Sequence, residues 1–425
     1  MPATATHHTV SGLAVAAPAS IPRGCGWAAP VALAWHTGAM DGHPEALIDL
    51  DAITANAAAL AAHVGGARLM AVVKSDGYGH GMVPAAHAAV AGGASWLGVV
   101  QLADAIALRQ AGLTVPVLCL TGTPGAPHAA AVAAGVDLTA GTVALVRQIA
   151  AAAQQAGVPA RIQLEADTGM RRGGATAADW PDVVAAARQA ERDGQARITG
   201  IWSHFACADM PGHESIPAQL SAFRAAVDVA RRAGLEPEVR HMANTPATLT
   251  LPESYFDLVR PGGAIFGLST LPGGAPDWLR PAMTVRARLI QTKRVPGGSG
   301  VSYGHRHVTG AEATLGVIPL GYNEGVPRLA SSAAQVLVRG RRFTIAGTVN
   351  MNATMIDVGD LPAQTGDEVI LFGPGDAGEP TAQEWADALG TLSYEIVTRF
   401  TGKIPRSYSG VTSGQEFIRS KVRAG

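Results

Sequence analysis

A (β/α)8 barrel followed by a mostly-β domain is the fold this sequence predicts, on three observations. From residue 68 the chain alternates short β-rich runs with Ala-rich helical stretches, eight times over, which is the pattern of a closed parallel barrel. After about residue 282 the helical stretches nearly vanish, and strands follow one another across short turns. Unusual polar residues sit at the strand ends of the first region, where a barrel carries its chemistry. A doubly wound open sheet is the other architecture that the alternation alone allows.

Residues 1–43 stand apart, rich in Ala, Pro, Gly, Thr and His, with one Arg and no Lys. Leu13–Ala19 is apolar but shorter than a secretory signal needs, and no basic stretch precedes it. The segment reads as a flexible extension, with Met40 an alternative start. Patterned, strand-like sequence begins at Leu47. Residues 44–281 form the barrel. Its strands read Leu69–Val73, Trp96–Val100, Val115–Leu120, Val136–Thr139, Arg161–Ala166, Ile198–Trp202, Glu238–His241 and Phe256–Val259. Met82–Ala91, Ala103–Ala111, Val143–Ala156, Trp180–Ala190 and Ala218–Ala233 carry helical periodicity between them. Residues 282–425 form the second domain, with strands Met283–Val295, Thr314–Pro319, Ala334–Val338, Phe343–Val349, Thr354–Val358 and Glu368–Phe372. Gly297–Gly298, Gly373–Pro374 and Asp376–Gly378 supply its turns, and Ala382–Leu389 is its clear helix.

Composition excludes several classes. With 48% hydrophobic and 15% charged residues the chain is a packed globular protein. A formal net charge of -1 argues against nucleic-acid or anionic-membrane partners. Its apolar stretches are too interrupted for a membrane span. The cysteines, Cys25, Cys119 and Cys207, show neither a zinc pattern nor a disulfide framework, so no metal is expected and a reducing, cytoplasmic location is.

The polar residues at the strand ends accumulate in order. The first barrel strand runs into Lys74. A lysine desolvated there loses basicity and suits Schiff-base chemistry; alone it reads equally as a lysine at a solvated strand end. The fifth strand ends in Glu165, with Arg172 close behind, a pair that by itself is an ordinary ion pair. The sixth leads to His204, which by itself is a satisfied core histidine. Asn244-Thr245 opens a short helix after the seventh strand, and Arg260-Pro261-Gly262-Gly263 follows the eighth. Loops after those last two strands often bind phosphate in barrels, and a hydroxyl beside approachable glycine amides suits it; plain turn glycines are the other reading. A lysine opposite a phosphate cradle points to pyridoxal phosphate.

With those residues assembled, the chain resembles the alanine racemase family from about Leu47 to Arg406. The segment from Ala71 to Gly81, Ala-Val-Val-Lys-Ser-Asp-Gly-Tyr-Gly-His-Gly, looks like that family's cofactor-lysine motif. Asp167-Thr168-Gly169-Met170 with Arg172, Ser203-His204-Phe205, Asn244, Val259-Arg260, Val301-Ser302-Tyr303-Gly304 and Gly321-Tyr322 follow in the family's order. The resemblance implies an amino-acid racemase that interconverts L- and D-alanine by two bases. In it Lys74 holds pyridoxal phosphate as an internal aldimine and is one base, and Tyr303 is the other, on the opposite face. His204 hydrogen-bonds that tyrosine, and Arg260 faces the pyridine nitrogen. Tyr78, Asn244, Thr245, Gly262 and Gly263 lie in the cofactor site, most of them on the phosphate. Arg172 meets the cofactor's phenolic oxygen and the substrate carboxylate, which the Met351 amide also reaches. Tyr303 comes from the partner subunit, so the resemblance implies a homodimer with shared sites.

Four positions depart from the family's pattern. Glu165 stands where many members carry a carbamylated lysine, and Asn352 where an aspartate is usual. Asn323-Glu324 replaces Ala-Asp. Gly402 stands where some members have a tyrosine that narrows the site, which opens the way to broader specificity, serine included. A basic amino-acid decarboxylase is a competing reading, although Cys207 is the last cysteine and no C-terminal catalytic one exists. A pyridoxal-phosphate-binding regulatory protein is another, against which stands a base on a second domain.

Overall fold

The computed structural model describes residues 44–410; the N-terminal extension, Met40 and Cys25 lie outside the described residues. The first strand, β1 (Glu45–Asp49), precedes the barrel. The barrel strands are β2 (Arg68–Val72), β3 (Trp96–Val99), β4 (Val117–Cys119), β5 (Asp137–Ala140), β6 (Ala160–Glu165), β7 (Ala196–Trp202), β8 (Val239–His241) and β9 (Leu258–Val259). They form one parallel sheet in the order β8-β7-β6-β5-β4-β3-β2-β9. The ring closes where Asp257 N donates to Arg240 O (3.0 Å) and Arg260 N to Ala243 O (2.9 Å). Arg240 and Asp257 reinforce that seam with an ion pair of 2.7 Å. All eight β-rich runs thus become barrel strands. The third run begins late because Pro116 has no amide hydrogen to give, and the eighth because Phe256 takes φ 50°.

The barrel interior has two unlike halves. Met70, Val72, Trp96, Leu118, Val239 and Leu258 make an apolar cluster of their own. Asp137, Gln163, Thr199 and His241 are as deeply buried on the other side. Buried polar groups of this kind persist only when hydrogen-bonded, and these are bonded to one another.

The β-rich region contains β10 (Met283–Arg288), β11 (Gln291–Val295), β12 (Gly300–Val301), β13 (His307–Val308), β14 (Ala313–Ile318), β15 (Gln335–Val338), β16 (Arg341–Thr344), β17 (Thr354–Asp357), β18 (Glu368–Phe372) and β19 (Arg406–Ser409). Two corrections to the sequence reading arise here. Met283–Val295 is two strands: β10 lies in a six-stranded sheet, β16-β15-β18-β10-β1-β19, and β11 in a three-stranded one, β11-β14-β17. The chain changes sheets at Leu289-Ile290, whose amides pair with Asp367 and Val317 in turn. Residues 45–49, placed by the sequence reading with the barrel, join the six-stranded sheet, antiparallel to β10 and parallel to β19. An isolated five-residue strand is unstable without neighbours, and Ala46 and Ile48 are fully buried by this pairing. The second helix, Ser393–Thr398, adds to Ala382–Leu389.

Candidate active site

Lys74 follows β2 and opens a left-handed turn. Ser75, Asp76, Gly77 and Tyr78 have φ of 54, 53, 62 and 52°, a conformation that costs ~1–2 kcal/mol per residue bearing a β-carbon. Dense bonding holds it. Gly77 N donates to Val73 O and Gly81 N to Asp76 O, both at 2.9 Å. Met82 N donates to Asp76 Oδ1 (2.9 Å), and Arg406 on β19 pairs with the other carboxylate oxygen. Strain retained in this way accompanies functional positions; here it sets both Lys74 and Tyr78 on the wall of a cavity of about 1040 Å³ at the C-terminal ends of the strands. Burial, then the guanidiniums of Arg172 and Arg260, pulls the Lys74 amine below its ordinary range.

Glu165, Arg172, His204 and Arg260 share that wall. Burial pushes the Glu165 carboxyl up to about 7 against the opposing pull of Arg172 and Arg260. Arg172 is exposed and acts on Glu165 through space. His204 is held well below its ordinary range, first by burial and then by Arg260, Arg172 and Lys74, so it is neutral. Arg260 Nη2 lies 3.3 Å from His204 Nδ1. A guanidinium only donates. Asn244 Nδ2, 3.4 Å from Nε2, is also a donor, because Asn244 Oδ1 takes the Ala247 amide as the cap of helix Thr245–Thr250. Donors therefore face both ring nitrogens, and a neutral imidazole can accept at only one of them.

At the other end of the cavity the Thr245 hydroxyl receives the amides of Gly262 (3.0 Å) and Ala264 (3.4 Å). A β-carbon on Gly262 would fall 2.2 Å from the Tyr78 hydroxyl, so only glycine lets that hydroxyl in. Gly263 is off the cavity wall; a β-carbon there would fall 2.3 Å from the Tyr394 ring, so only glycine makes room for it. Tyr394 meets Tyr78 edge-on, with centroids 5.5 Å apart, and its hydroxyl is buried beside Thr245 and Thr270 without hydrogen-bond geometry to either. Burial raises both phenols, Tyr394 to about 12, so both remain donors. Three hydroxyls around glycine backbone, opposite a lysine of lowered basicity, fit the phosphate and the aldehyde of pyridoxal phosphate.

Tyr394 is a residue that the sequence reading missed. It stands in the short helix Ser393–Thr398, just after Ala382–Leu389, and lines the cavity. Gly402 is not on the cavity wall, and a side chain there would meet nothing within 4 Å. His241, Gln163 and Asp137 were missed as well, although polar residues within otherwise apolar strands are a legible signal.

Tyr303 and Met351 do not line the cavity. Tyr303 is 72% exposed, on a turn in which Ser302 takes φ 61°. The Ser302 hydroxyl donates to Thr348 O (2.6 Å) and the Thr348 hydroxyl to Tyr303 O (2.8 Å), so the backbone is braced while the ring faces solvent. Met351 and Tyr322 are exposed beside it, and Tyr322 N donates to Asn350 O (3.0 Å). Two departures from the family's pattern interlock here. Glu324 accepts from Asn352 Nδ2 (2.6 Å), Asn323 Nδ2 (2.8 Å) and Gly321 N (2.9 Å). An aspartate at 352 would set two carboxylates against each other; Asn352 turns that repulsion into a bond.

Comparison with known proteins bears on the whole arrangement. A family model described as "Alanine racemase, N-terminal domain" matches residues 48–270, and one described as "Alanine racemase, C-terminal domain" matches residues 282–408. The chain is 54% identical to an alanine racemase of Frankia casuarinae, over 85% of this chain and 95% of that one. It is 54% identical to an alanine racemase of Thermobifida fusca, over 87% and 99%. The solved alanine racemase of Streptomyces coelicolor A3(2) superposes with TM-score 0.85 at 52% identity, covering 87% of this chain and 98% of that one. That of Bartonella henselae, described with covalently bound pyridoxal phosphate, superposes with TM-score 0.78 at 28% identity, over 86% and 99%.

Proposed function

The chain belongs to the alanine racemase family, and we propose that Lys74 and Tyr303 of the partner subunit are the two bases with which it interconverts L- and D-alanine. The activity is that of a pyridoxal-phosphate-dependent isomerase. When bound, the cofactor supplies an electron sink for the substrate α carbon.

This chain's own residues do the rest. Lys74 Nζ, with its basicity lowered, takes or returns a proton on one face. Tyr303 Oη does so on the other. The neutral His204 imidazole, on the cavity wall, would hydrogen-bond the Tyr303 oxygen. Arg260, buried on the cavity wall, would face the cofactor's ring nitrogen and oppose its protonation. Tyr78, Thr245, Tyr394 and the Gly262 backbone would hold its phosphate. Arg172, exposed at the cavity, is placed for a carboxylate arriving from solvent, and the Met351 amide would join it from the partner subunit. Glu165 would supply a negative charge near Arg172 above pH about 7, where its carboxyl ionises. The single observation that carries the reading is the division of labour. One chain gathers Lys74 and a phosphate cradle in a cavity, yet presents Tyr303 on a braced, exposed turn that its own cavity cannot use. A homodimer with shared sites reconciles the two. A cytoplasmic location fits the free Cys119 and Cys207.

Racemisation of a panel of L-amino acids, followed by circular dichroism with the protein's mass measured in solution, tests the reading. Alanine turnover by a dimer supports it; a catalytically active monomer would remove the shared site.

A further inference from the structure

Arg260 is held by a line of side chains that crosses the barrel interior and that the reaction, as described so far, does not use. Arg260 Nη1 lies 2.8 Å from His241 Nδ1. His241 Nε2 lies 2.7 Å from Gln163 Oε1. Gln163 Nε2 donates to Asp137 Oδ2 at 3.0 Å. Asp137 also receives the Thr199 hydroxyl (2.6 Å) and Arg161 Nε (2.6 Å). His241, Gln163, Thr199 and Asp137 are fully buried, and Arg260 nearly so.

The line has one possible direction. A guanidinium has no acceptor, so His241 Nδ1 must accept from it. His241 is neutral, because burial and Arg260 hold it well below its ordinary range, and its one proton is therefore on Nε2. That proton goes to Gln163 Oε1, which leaves the Gln163 amide group to donate to a carboxylate that can only accept. Reversing any link would set donor against donor or acceptor against acceptor in a region without solvent, which is costly. Trp202 lies parallel to His241, with centroids 6.1 Å apart and planes at 6°, and Arg260 sits 5.0 Å over the Trp202 ring. The imidazole thus cannot tilt to seek another partner without losing that stack.

We propose that Asp137 and Gln163 are positioning residues that fix the tautomer of His241, and through it aim Arg260 at the cofactor's ring nitrogen. The charge of Asp137 is largely offset by Arg161, so what passes along the line is orientation and not net charge. The terminal carboxylate orients the amide, the amide orients the imidazole, and the imidazole offers the guanidinium one acceptor in one place. Arg260 Nη2 is held separately by Ser203 O at 2.7 Å. The line therefore sets the second edge of the guanidinium and with it the plane. None of these residues except Arg260 is on the wall of the cavity.

The inference rests on the racemase reading for its consequence but not for its geometry, and the test separates the two. In apoprotein with nitrogen-labelled histidine, NMR should show His241 locked with Nε2 protonated and Nδ1 an acceptor. Gln163→Met is close in size and cannot pass the orientation on. It should leave His241 a mixture of tautomers and, in the holoenzyme, raise the ratio of transamination to racemisation about tenfold, the effect of one pKa unit at the ring nitrogen. Should that variant not fold, Asp137→Asn, which leaves Gln163 a weaker acceptor, should move both readings in the same direction by less. A folded Gln163→Met protein with His241 still locked, or with the side-reaction ratio unchanged, overturns the proposal. A locked His241 in a wild-type protein that racemises nothing would leave the line intact and remove the racemase reading instead.

Discussion

The mouth of the barrel and the exposed face of the β-rich region treat their functional side chains in opposite ways. At the mouth, Lys74, Tyr78, His204 and Arg260 are gathered by neighbours of the same chain, and the shared burial and charge shift their proton affinities. On the β-rich face, Tyr303 is fixed through its backbone while its ring is in solvent. A ring surrounded by water has little fixed geometry. On the proposed function, Tyr303 would act only where a second subunit covers it, so the contrast would separate residues prepared by folding from one prepared by assembly.

The largest effects should sharpen that contrast. Lys74→Ala should abolish both racemisation and the yellow chromophore, and borohydride reduction of the parent should place the adduct on Lys74 by mass spectrometry. An adduct on another lysine would break the assignment. Tyr303→Phe should keep the chromophore and lose ~10²–10⁴-fold in turnover, the usual contribution of a positioned acid–base group. Mixed dimers of the two variants should recover part of the activity, because one of their two sites then has both bases. Heterodimers that form without rescue would place Tyr303 in its own subunit's site.

Smaller effects probe each side alone. On the barrel side, Glu165 has a folded-state value near 7, above its ordinary carboxylate range. The folded protein then holds more protons than the unfolded chain between that ordinary range and about 7. Stability should fall as pH rises through this window. Glu165→Gln should remove that slope in apoprotein melting curves and stabilise the apoprotein above pH about 7, while weakening turnover through loss of the charge near Arg172. Turnover of the parent should rise as pH passes about 7 and should not respond to removal of bicarbonate. A Gln variant with unchanged turnover and substrate affinity would make Glu165 structural. On the β side, Asn352→Asp should cost about 1–2 kcal/mol in denaturant melts by setting a carboxylate against Glu324. Adding Glu324→Gln should recover most of the loss. The smallest effect belongs to Gly402. Gly402→Tyr should leave the ratio of serine to alanine turnover unchanged, since that position is not on the cavity wall and a side chain there would meet nothing within 4 Å.

The sequence by itself determined the barrel, because eight alternations of β-rich and Ala-rich segments have few other solutions, and it named the cavity's main residues, because their order along the strand ends is linear in the chain. It could not assign the residues at 45–49, whose partner strands β10 and β19 lie more than two hundred residues away. Nor could it place the aromatic at the phosphate end. Tyr394 reaches the cavity only because Gly263, far from it in sequence, has no side chain to block the ring. The line from Arg260 to Asp137 was equally hidden, since its members are scattered over β5, β6, β8 and the turn after β9. Only the closed barrel turns them toward one another, and only burial makes their hydrogen bonds obligatory. Patterns repeated along a chain are local and can be read from it; partners brought together by closure are decided by tertiary structure, where exclusion of water forces each donor to find its acceptor.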